Sequence, residues 1–269
     1  MILTPENYHS PEANMHYMSV SQYKHWIECP AATLANLKGE YEPEDKTALL
    51  VGQYVHAWSE GTLEQFKCDH PEIISSKGAT KGELKAEFKK ADEMISVMQD
   101  DPKVMFYLQG HKEVILTAEM FGTPWKIKID VDNPGLNYLL DIKTTKSISE
   151  GGWVRQDGKN IKVSFIEEWG YMIQAAVYSE VERIARGREA HRDFLVVAVS
   201  KEKVPDHAII DLTDPGRIQE ELDKIKANMS TILAVKSGNE APERCECCDY
   251  CKMTKKVSKI IHYSELMPA

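Results

Sequence analysis

The hydrophobic and polar positions of the first hundred residues predict helices. Residues 19–37 and 42–66 are predicted helical, the second helix beginning near Asp45, and residues 81–99 repeat apolar positions with a helical period. Pro30 lies inside the first helix and is expected to bend it or to restart it. Residues 1–18 show no such pattern, so we predict an irregular lead-in.

The pattern changes after Gln109 to short runs rich in β-branched and aromatic residues. The runs 113–120, 124–131 and 137–143 are separated by the turn sequences FGTP and DNPG. This arrangement predicts an antiparallel meander of three strands. The next segment, 147–163, contains SEGG and RQDGKN, and we predict that it forms a loop or lid.

The last hundred residues alternate between helical and strand patterns. A helix is predicted over 164–187, with Gly187 as its C-cap, and a buried strand over 193–200, which is apolar on both faces. A further strand over 207–212 and a long helix over 213–238 follow. The predicted order of elements is helices, three strands, a helix, two strands and a helix. This order predicts a mixed α/β sheet sandwiched by helices.

The composition is that of a soluble globular protein. The chain has 269 residues, of which 42% are hydrophobic and 28% charged, and it is long enough to bury a sizeable core. No apolar run approaches the roughly eighteen residues that span a bilayer. The N-terminus lacks a basic start followed by an apolar block, so we predict no signal peptide, a cytoplasmic location and no membrane partner.

The net charge of −9 does not by itself suggest a nucleic-acid-binding protein. The basic residues, however, gather late in the chain. They are Lys143, Lys146, Arg155, Lys159, Lys162 and the stretch 252–259. Two interpretations stay open: a local basic channel on an acidic body, or a solvated charged surface.

Two aspartates and a lysine carry the candidate chemistry. Because side chains alternate along a strand, Asp141 and Lys143 share one face, and Asp130 lies on the preceding strand. Pairing through the turn at 133–135 would bring Asp130 and Asp141 together near one end of the sheet. Two close carboxylates repel each other unless a proton or cation lies between them, and Mg²⁺ prefers such carboxylates.

This constellation resembles a known nuclease superfamily. Asp130, followed by Asp141-Ile142-Lys143, matches the PD-(D/E)XK signature, although Ile129 replaces the proline of that name. Over roughly residues 17–255 the chain resembles the RecE-type phage exonucleases and the nuclease domains of RecB and AddB. The stretches that carry this likeness are YVHAW (54–58), KIKIDVD (126–132), LLDIKTTKS (139–147) and YMIQAAVYSEV (171–181).

The resemblance implies an α/β fold with a central mixed sheet and an αβββαβ core like that of restriction endonucleases. N-terminal helical additions and a Cys-rich C-terminal tail complete it. We therefore expect a single nuclease domain over 1–269. Its parts would be a helical region (1–109), a catalytic core (110–238) and the tail (239–269).

The same resemblance assigns catalytic roles. Asp130 and Asp141 would bind Mg²⁺ or Mn²⁺, with the Ile142 carbonyl as a further ligand. Lys143 would orient the attacking water or help to deprotonate it, and would offset charge on the phosphorane. His56 lies where this branch has a helical histidine that assists the metal site or the scissile phosphate.

Three further site residues are implied. An acidic residue precedes the strand of the first aspartate, and both Glu113 and Glu119 would point to the required face of a regular strand. The strand pattern does not choose between them, whereas alignment of HKEVIL with the family favours Glu113. Gln174 and Tyr178 share a helix face, where the family's pair contacts substrate or fixes the catalytic lysine.

Cysteines cluster at the C-terminus. The chain has six: Cys29, Cys68, Cys245, Cys247, Cys248 and Cys251. In a cytosolic chain of this size we expect no disulfide framework. Similarity to AddB-like and CRISPR-adaptation nucleases implies that Cys29, Cys245, Cys248 and Cys251 hold a [4Fe–4S] cluster, with Cys247 spare. The alternatives are zinc on the four late cysteines and, third, free thiols, while Cys68 is expected to be an ordinary thiol.

The leading hypothesis is a Mg²⁺-dependent exonuclease that degrades linear double-stranded DNA in phage or prophage recombination. The family implies a ring-shaped homo-oligomer whose single-stranded product passes to an annealing protein. One alternative is an endonuclease or single-strand nuclease of the CRISPR-adaptation type. Another is a non-catalytic DNA-binding protein whose C-terminal metal is structural.

Overall fold

The structure is a computed structural model that describes residues 1–42, 47–156 and 158–266. Its helices are α1 Pro11–His16, α2 Val20–Glu28, α3 Pro30–Leu37, α4 Thr47–Glu60, α5 Leu63–Asp69, α6 Ala86–Gln99, α7 Pro102–Tyr107, α8 Phe165–Glu168, α9 Tyr171–Ala185, α10 Pro215–Lys236 and α11 Asp249–Met253. Its strands are β1 His111–Met120, β2 Thr123–Asn133, β3 Tyr138–Thr145, β4 Gly152–Gln156, β5 Lys159–Val163, β6 Asp193–Ser200 and β7 His207–Asp211. Among the described helices, none combines the length and the apolar character that crossing a bilayer requires.

The chain divides into two compact units. The sheet unit consists of Met1–Val20 and Glu44–Asn228, and the cysteine unit of Ser21–Pro43 and Met229–Ala269. Within the described residues, all seven strands lie in the sheet unit, whereas the four cysteines proposed as metal ligands lie in the cysteine unit. The predicted single nuclease domain with its three parts remains a prediction.

The central sheet has five strands in the order β1-β2-β3-β6-β7. β1, β2 and β3 form the predicted antiparallel meander, β6 pairs with β3 in parallel, and β7 pairs with β6 antiparallel. A parallel pair needs a long crossover, which the segment containing α8 and α9 supplies here. The predicted fold class, a mixed α/β sheet with helices around it, is therefore confirmed.

Helices cover both faces of β3. Leu140 and Ile142 are fully buried with Val55 of α4 and Met94 of α6 in one apolar core. The alternation of side chains turns Asp141 to the opposite face of the strand, where α9 packs against β1, β2 and β6. A polar site consequently lies beneath α9 and is backed by the main core.

The lead-in predicted to be irregular contains the short helix α1. The Ser10 hydroxyl accepts a hydrogen bond from the Ala13 amide, and Pro11 occupies the first turn. The prediction over 1–18 was wrong here because capping chemistry, rather than an apolar period, starts a helix this short.

The helix predicted over 42–66 is interrupted. Gly61 has φ +79°, a left-handed conformation that ends α4, and α5 begins two residues later. The predicted beginning near Asp45 lies outside the described residues. The restart predicted at Pro30 is confirmed, since α3 begins there.

Two predictions after β3 also need correction. Within 147–163, predicted as a loop or lid, the chain forms a hairpin of β4 and β5. Strand β5 is mostly exposed, and its apolar alternation is limited to Ile161 and Val163, which is too short to predict a strand. The helix predicted over 164–187 is two helices, α8 and α9, separated at Gly170, which adopts φ +59°. Gly187 follows α9 with φ +62°, as predicted for its C-cap.

Candidate active site

Strands β2 and β3 part at the two aspartates. Their ladder ends at the pair Val131–Leu140, and the next opposed residues in the register would be Asp130 and Asp141. Instead, the Ile142 amide donates to Asp130 Oδ2 over 2.7 Å. A side chain thus takes the place of a backbone acceptor, and the opening between the strands holds two buried carboxylates.

Strand β1 is distorted opposite Asp130. Glu113 has φ +53°, and it is unpaired although the residues on both sides of it pair with β2. A residue other than glycine in this conformation costs about 1–3 kcal/mol, and such strain concentrates at functional sites. Here one donor atom each of Glu113, Asp130 and His56 lie within 4.8 Å of one another.

His56 reaches the sheet from α4, which is anchored by the fully buried Tyr54 and Val55. Its Nδ1 lies 3.3 Å from Asp130 Oδ1, and its side chain is 27% exposed. Burial would lower the pKa of His56, but the Asp130 carboxylate outweighs it and raises that pKa to about 9. The imidazolium in turn holds the pKa of Asp130 below its usual value, although burial opposes this shift.

Asp141 is held from two sides. Its Oδ2 forms an ion pair with Lys143 Nζ over 2.5 Å, and its Oδ1 accepts a hydrogen bond from Gln174 Nε2 over 2.5 Å. Burial raises the pKa of Asp141, and Lys143 only partly offsets that effect. Burial would lower the pKa of Lys143, yet Asp141 and Asp130 raise it. Each aspartate therefore has a cation as a neighbour.

The other predicted residues, Glu119, Gln174 and Tyr178, differ in what they contact. Glu119 is exposed and pairs with Pro124, six residues along β1 from Glu113. Gln174 contacts Asp141, as described above. Tyr178 instead packs edge-to-face on Phe194 at 5.9 Å, and burial raises its pKa well above the usual value.

The sequence interpretation missed three residues near this centre. The Tyr171 ring lies 5.0 Å from Lys143 Nζ, and its spacing from Gln174 (i, i+3) could have placed it on the same helix face. Lys128 forms an ion pair with Glu113. Tyr8 stacks under Lys126 at 4.6 Å, and no pattern in its segment signals that position.

These residues fit a divalent cation. Carboxylate oxygens are the ligands that Mg²⁺ and Mn²⁺ prefer, and an imidazole is compatible with Mn²⁺. Glu113, Asp130 and His56 form the compact donor set. Asp141 lies outside that set, and its oxygens contact Lys143 and Gln174.

A buried charge network lies behind the site. Asp132, 1% exposed, accepts from Arg192 Nη1 over 2.6 Å, and Arg192 Nη2 donates to the Tyr138 carbonyl over 2.6 Å. Glu182, fully buried, accepts from Arg188 over 2.9 Å and from Arg192 over 3.2 Å. This network ties α9 to the turn that joins β2 to β3.

Within the cysteine unit, Cys29 meets three late cysteines. The Sγ atoms of Cys29, Cys245, Cys248 and Cys251 all lie within 4.8 Å of one another, so they could hold a metal ion. Backbone amides of Cys247 and Cys248 lower the pKa of Cys245 to about 6. Cys247 is exposed, and its sulfur is not among the four that lie together.

Comparisons with known proteins agree with this geometry. Residues 19–254 match the model of a family described as a "PDDEXK-like domain of unknown function (DUF3799)". A protein from Eubacterium rectale, described as a "Putative exonuclease", has a crystal structure that matches with a TM-score of 0.90. That match has 42% sequence identity and covers 99% of this chain and 98% of the other. A search of the curated proteins found no match.

Proposed function

Because the chain belongs to the PDDEXK-like family DUF3799, we propose that it is a metal-dependent deoxyribonuclease that degrades linear double-stranded DNA as an exonuclease. Membership in the PD-(D/E)XK superfamily, predicted from the residues around Asp130 and Asp141, is confirmed by the family match. The exonuclease activity, the DNA substrate and a role in phage or prophage recombination are parts of the proposal.

One observation carries it. Asp130 and Asp141 face each other where two strands part, and Lys143, Glu113 and His56 surround them. An ordinary fold gains little from gathering buried carboxylates, because each ionised group loses its hydration there. Such a cluster of perturbed groups is typical of a catalytic site.

In this proposal Asp130, Asp141, Glu113 and His56 would hold Mg²⁺ or Mn²⁺, and His56 would release its proton when it binds the ion. The bound ion would polarise the scissile phosphate and lower the pKa of a water molecule. The protein's own contribution is to keep these carboxylates in place, in the opening between β2 and β3. The amide of Ile142 fixes Asp130, and Gln174 fixes Asp141.

Lys143 supplies positive charge beside the reacting phosphate. Its ammonium already pairs with Asp141 and lies over the Tyr171 ring, so its position is set before substrate binds. From there it can donate a hydrogen bond to the attacking water or to a phosphate oxygen. A preorganised donor of this kind stabilises the charge that develops in the transition state.

The RecE-type resemblance extends the proposal to partners. We include in it a ring-shaped homo-oligomer and an annealing protein that receives the single-stranded product. Light scattering of the purified protein tests the first, and co-purification with a single-strand annealing protein tests the second. Failure of either leaves the nuclease proposal standing.

The proposal predicts which DNA molecules are degraded. Linear duplex should be degraded when Mg²⁺ or Mn²⁺ is added and remain intact without a divalent ion. A covalently closed circle of the same sequence should remain intact, because it has no end. Acid-soluble nucleotide release and gel electrophoresis on both substrates measure this.

Each other outcome supports a different function. Cutting of the closed circle would indicate an endonuclease, and degradation of single strands alone a single-strand nuclease of the CRISPR-adaptation type. Retention of duplex without cleavage in any divalent ion would indicate a DNA-binding protein. A control variant, Asp193→Asn, changes an exposed aspartate at the start of β6 and should behave as the unchanged protein.

We also propose that Cys29, Cys245, Cys248 and Cys251 hold a second metal centre, for which the family suggests a [4Fe–4S] cluster and zinc is the alternative. The grouping of their sulfur atoms supports this proposal. Its role would be structural, because Cys29 and Cys251 stand 222 positions apart in sequence.

A further inference from the structure

The spacing of the four sulfur atoms distinguishes between the two kinds of metal centre. Cys29 Sγ lies 3.6 Å from Cys251 Sγ, and Cys245 Sγ lies 3.9 Å from Cys251 Sγ. All four sulfurs, including that of Cys248, lie within 4.8 Å of one another. The group is therefore compact in every direction, not only between one pair.

A single zinc ion requires such a compact group. With Zn–S bonds of about 2.3 Å in a tetrahedron, neighbouring sulfurs stand about 3.8 Å apart. In a [4Fe–4S] cluster each thiolate binds a different iron at the corner of a cube, which separates the sulfurs by roughly 6 Å. The cysteine sulfurs of this chain leave too little room for the cube.

The surroundings also suit a closed zinc site. Cys29 and Cys251 are buried, and a hydrogen bond from the Cys248 amide to Cys245 Sγ, 3.3 Å long, stabilises a thiolate there. The Ala31 amide donates to the Glu243 carbonyl over 3.0 Å, which holds the two cysteine-bearing segments together. The apolar core around these cysteines is small, so a metal would supply much of the local stability.

We propose that Cys29, Cys245, Cys248 and Cys251 form a structural Zn²⁺ site and that the chain carries no [4Fe–4S] cluster at this position. Cys247 takes no part in it. The proposal departs from what resemblance to the iron–sulfur nucleases implies, and it does not depend on nuclease activity.

Metal analysis of the whole protein tests the proposal. Protein purified without chelators, once in air and once anaerobically, should contain one zinc per chain and no acid-labile sulfide. Replacement by Co²⁺ should produce the intense visible bands of a tetrahedral thiolate site. Cys29→Ser and Cys251→Ser should lose the zinc, whereas Cys247→Ser should keep it.

Iron with matching sulfide in the anaerobic protein would overturn the proposal. So would a protein that stays metal-free when zinc is supplied, or one that keeps full zinc in Cys251→Ser. If the serine variants fail to fold, the zinc and sulfide contents of the unchanged protein and its Co²⁺ spectrum still distinguish a zinc site from an iron–sulfur cluster.

A cavity beside the active site suggests how DNA is bound there. Just beyond Lys143 along β3, a cavity of about 360 Å³ opens between the chain after β3, the hairpin and α8. Trp153 and Trp169 line it and are 67% and 58% exposed, and Phe165 forms part of its wall. Exposed tryptophans are costly in water, so two of them at one cavity suggest a ligand.

The charges around this cavity favour a nucleic acid. Lys146 lines it, and the exposed Arg155, Lys159 and Lys162 lie on the same hairpin. Two carboxylates, Glu150 and Glu168, also line it, so the cavity itself does not simply attract phosphate. Aromatic faces with lysines close by are the arrangement that stacks bases and follows the backbone of a single strand.

Resting on the proposed nuclease function, we infer that Trp153 and Trp169 stack unpaired bases of the DNA strand whose backbone is cleaved at Asp130 and Asp141. Thr145, in the cavity wall, is two residues from Lys143, which is roughly 7 Å along a strand. A base next to the reacting phosphate would therefore reach the cavity. Holding it there would keep the strand end in position for the next cleavage.

Binding of short single strands tests this inference. In buffer without Mg²⁺, fluorescence anisotropy would compare oligothymidine with an abasic strand of equal length and charge. Trp153→Ala and Trp169→Ala should each weaken oligothymidine binding roughly 10-fold and leave abasic binding nearly unchanged. Trp153→Phe should restore part of the loss, and Ile161→Ala, on the same hairpin, should have no effect.

The inference and the nuclease proposal can fail separately. The stacking site would be overturned if the unchanged protein bound oligothymidine and the abasic strand with equal affinity. It would also be overturned if the tryptophan variants lost the same affinity for both strands. Either result could occur while the protein still cleaves linear DNA. Absence of cleavage in any divalent ion would sink the nuclease proposal even if base-dependent binding is found.

Discussion

Replacing Lys143 by alanine is expected to slow cleavage of linear duplex DNA about 10²–10³-fold, the effect of removing one preorganised donor from a transition-state site. The Lys143 ammonium is 2.5 Å from Asp141 Oδ2. Its removal leaves Asp141 buried without its paired cation and leaves the phosphate without that donor. Single-turnover rates at saturating Mg²⁺ measure the loss, because they separate the chemical step from product release.

Two further variants show whether that loss reflects catalysis. Lys226→Ala removes an exposed lysine of α10 and should cleave at the normal rate. Lys143→Arg keeps the charge, but a planar guanidinium cannot reproduce the position of an ammonium, so it should restore little activity. A Lys143→Ala protein that melts normally and cleaves within tenfold of the normal rate would remove Lys143 from the mechanism.

Local patterning predicted most of the fold, and it failed where local chemistry overrides periodicity. The strands of the meander and β6 follow from β-branched runs bounded by turns, because burial imposes that pattern on each of them. The hairpin of β4 and β5 is exposed over most of its second strand, where the apolar alternation is limited to Ile161 and Val163. The break at Gly170 depends on one left-handed residue inside a helical period.

The site could be predicted only as far as strand register extends. Opposition of Asp130 and Asp141 follows from counting back from the turn between β2 and β3. The left-handed conformation of Glu113 could not be predicted in this way, because it breaks the regular alternation of side chains along a strand. The partner of Asp132 also could not be found, because Arg192 is 60 positions away and no local rule joins them.

That buried pair connects the fold to the site. Arg192 binds Asp132 at the end of β2 and the Tyr138 carbonyl at the start of β3, so it holds both strands where they leave the turn. Asp130 and Asp141 lie further along the same two strands. A displacement of about 1 Å in a reacting geometry can cost roughly 10²-fold in rate. If the chain is the proposed nuclease, the network would therefore support its activity by holding these two strands in position.

Arg192→Leu is expected to lower the free energy of unfolding by about 3–5 kcal/mol, because Asp132 and Glu182 lose the buried cation that they share. Arg186, the other arginine that contacts both carboxylates, is partly exposed and compensates less. For a chain of this size the melting temperature should fall by roughly 6–20 °C. Urea unfolding and thermal melts measure the two quantities. Arg217→Leu removes an exposed arginine whose ion pairs with Glu220 and Glu221 are both longer than 3.5 Å, and Lys224 still neutralises Glu221, so it should cost no more than about 1 kcal/mol. If Arg192→Leu lowers the free energy of unfolding as little as Arg217→Leu does, the remaining arginines neutralise the buried carboxylates. Arg192 would then not be the residue that holds the ends of β2 and β3 in place.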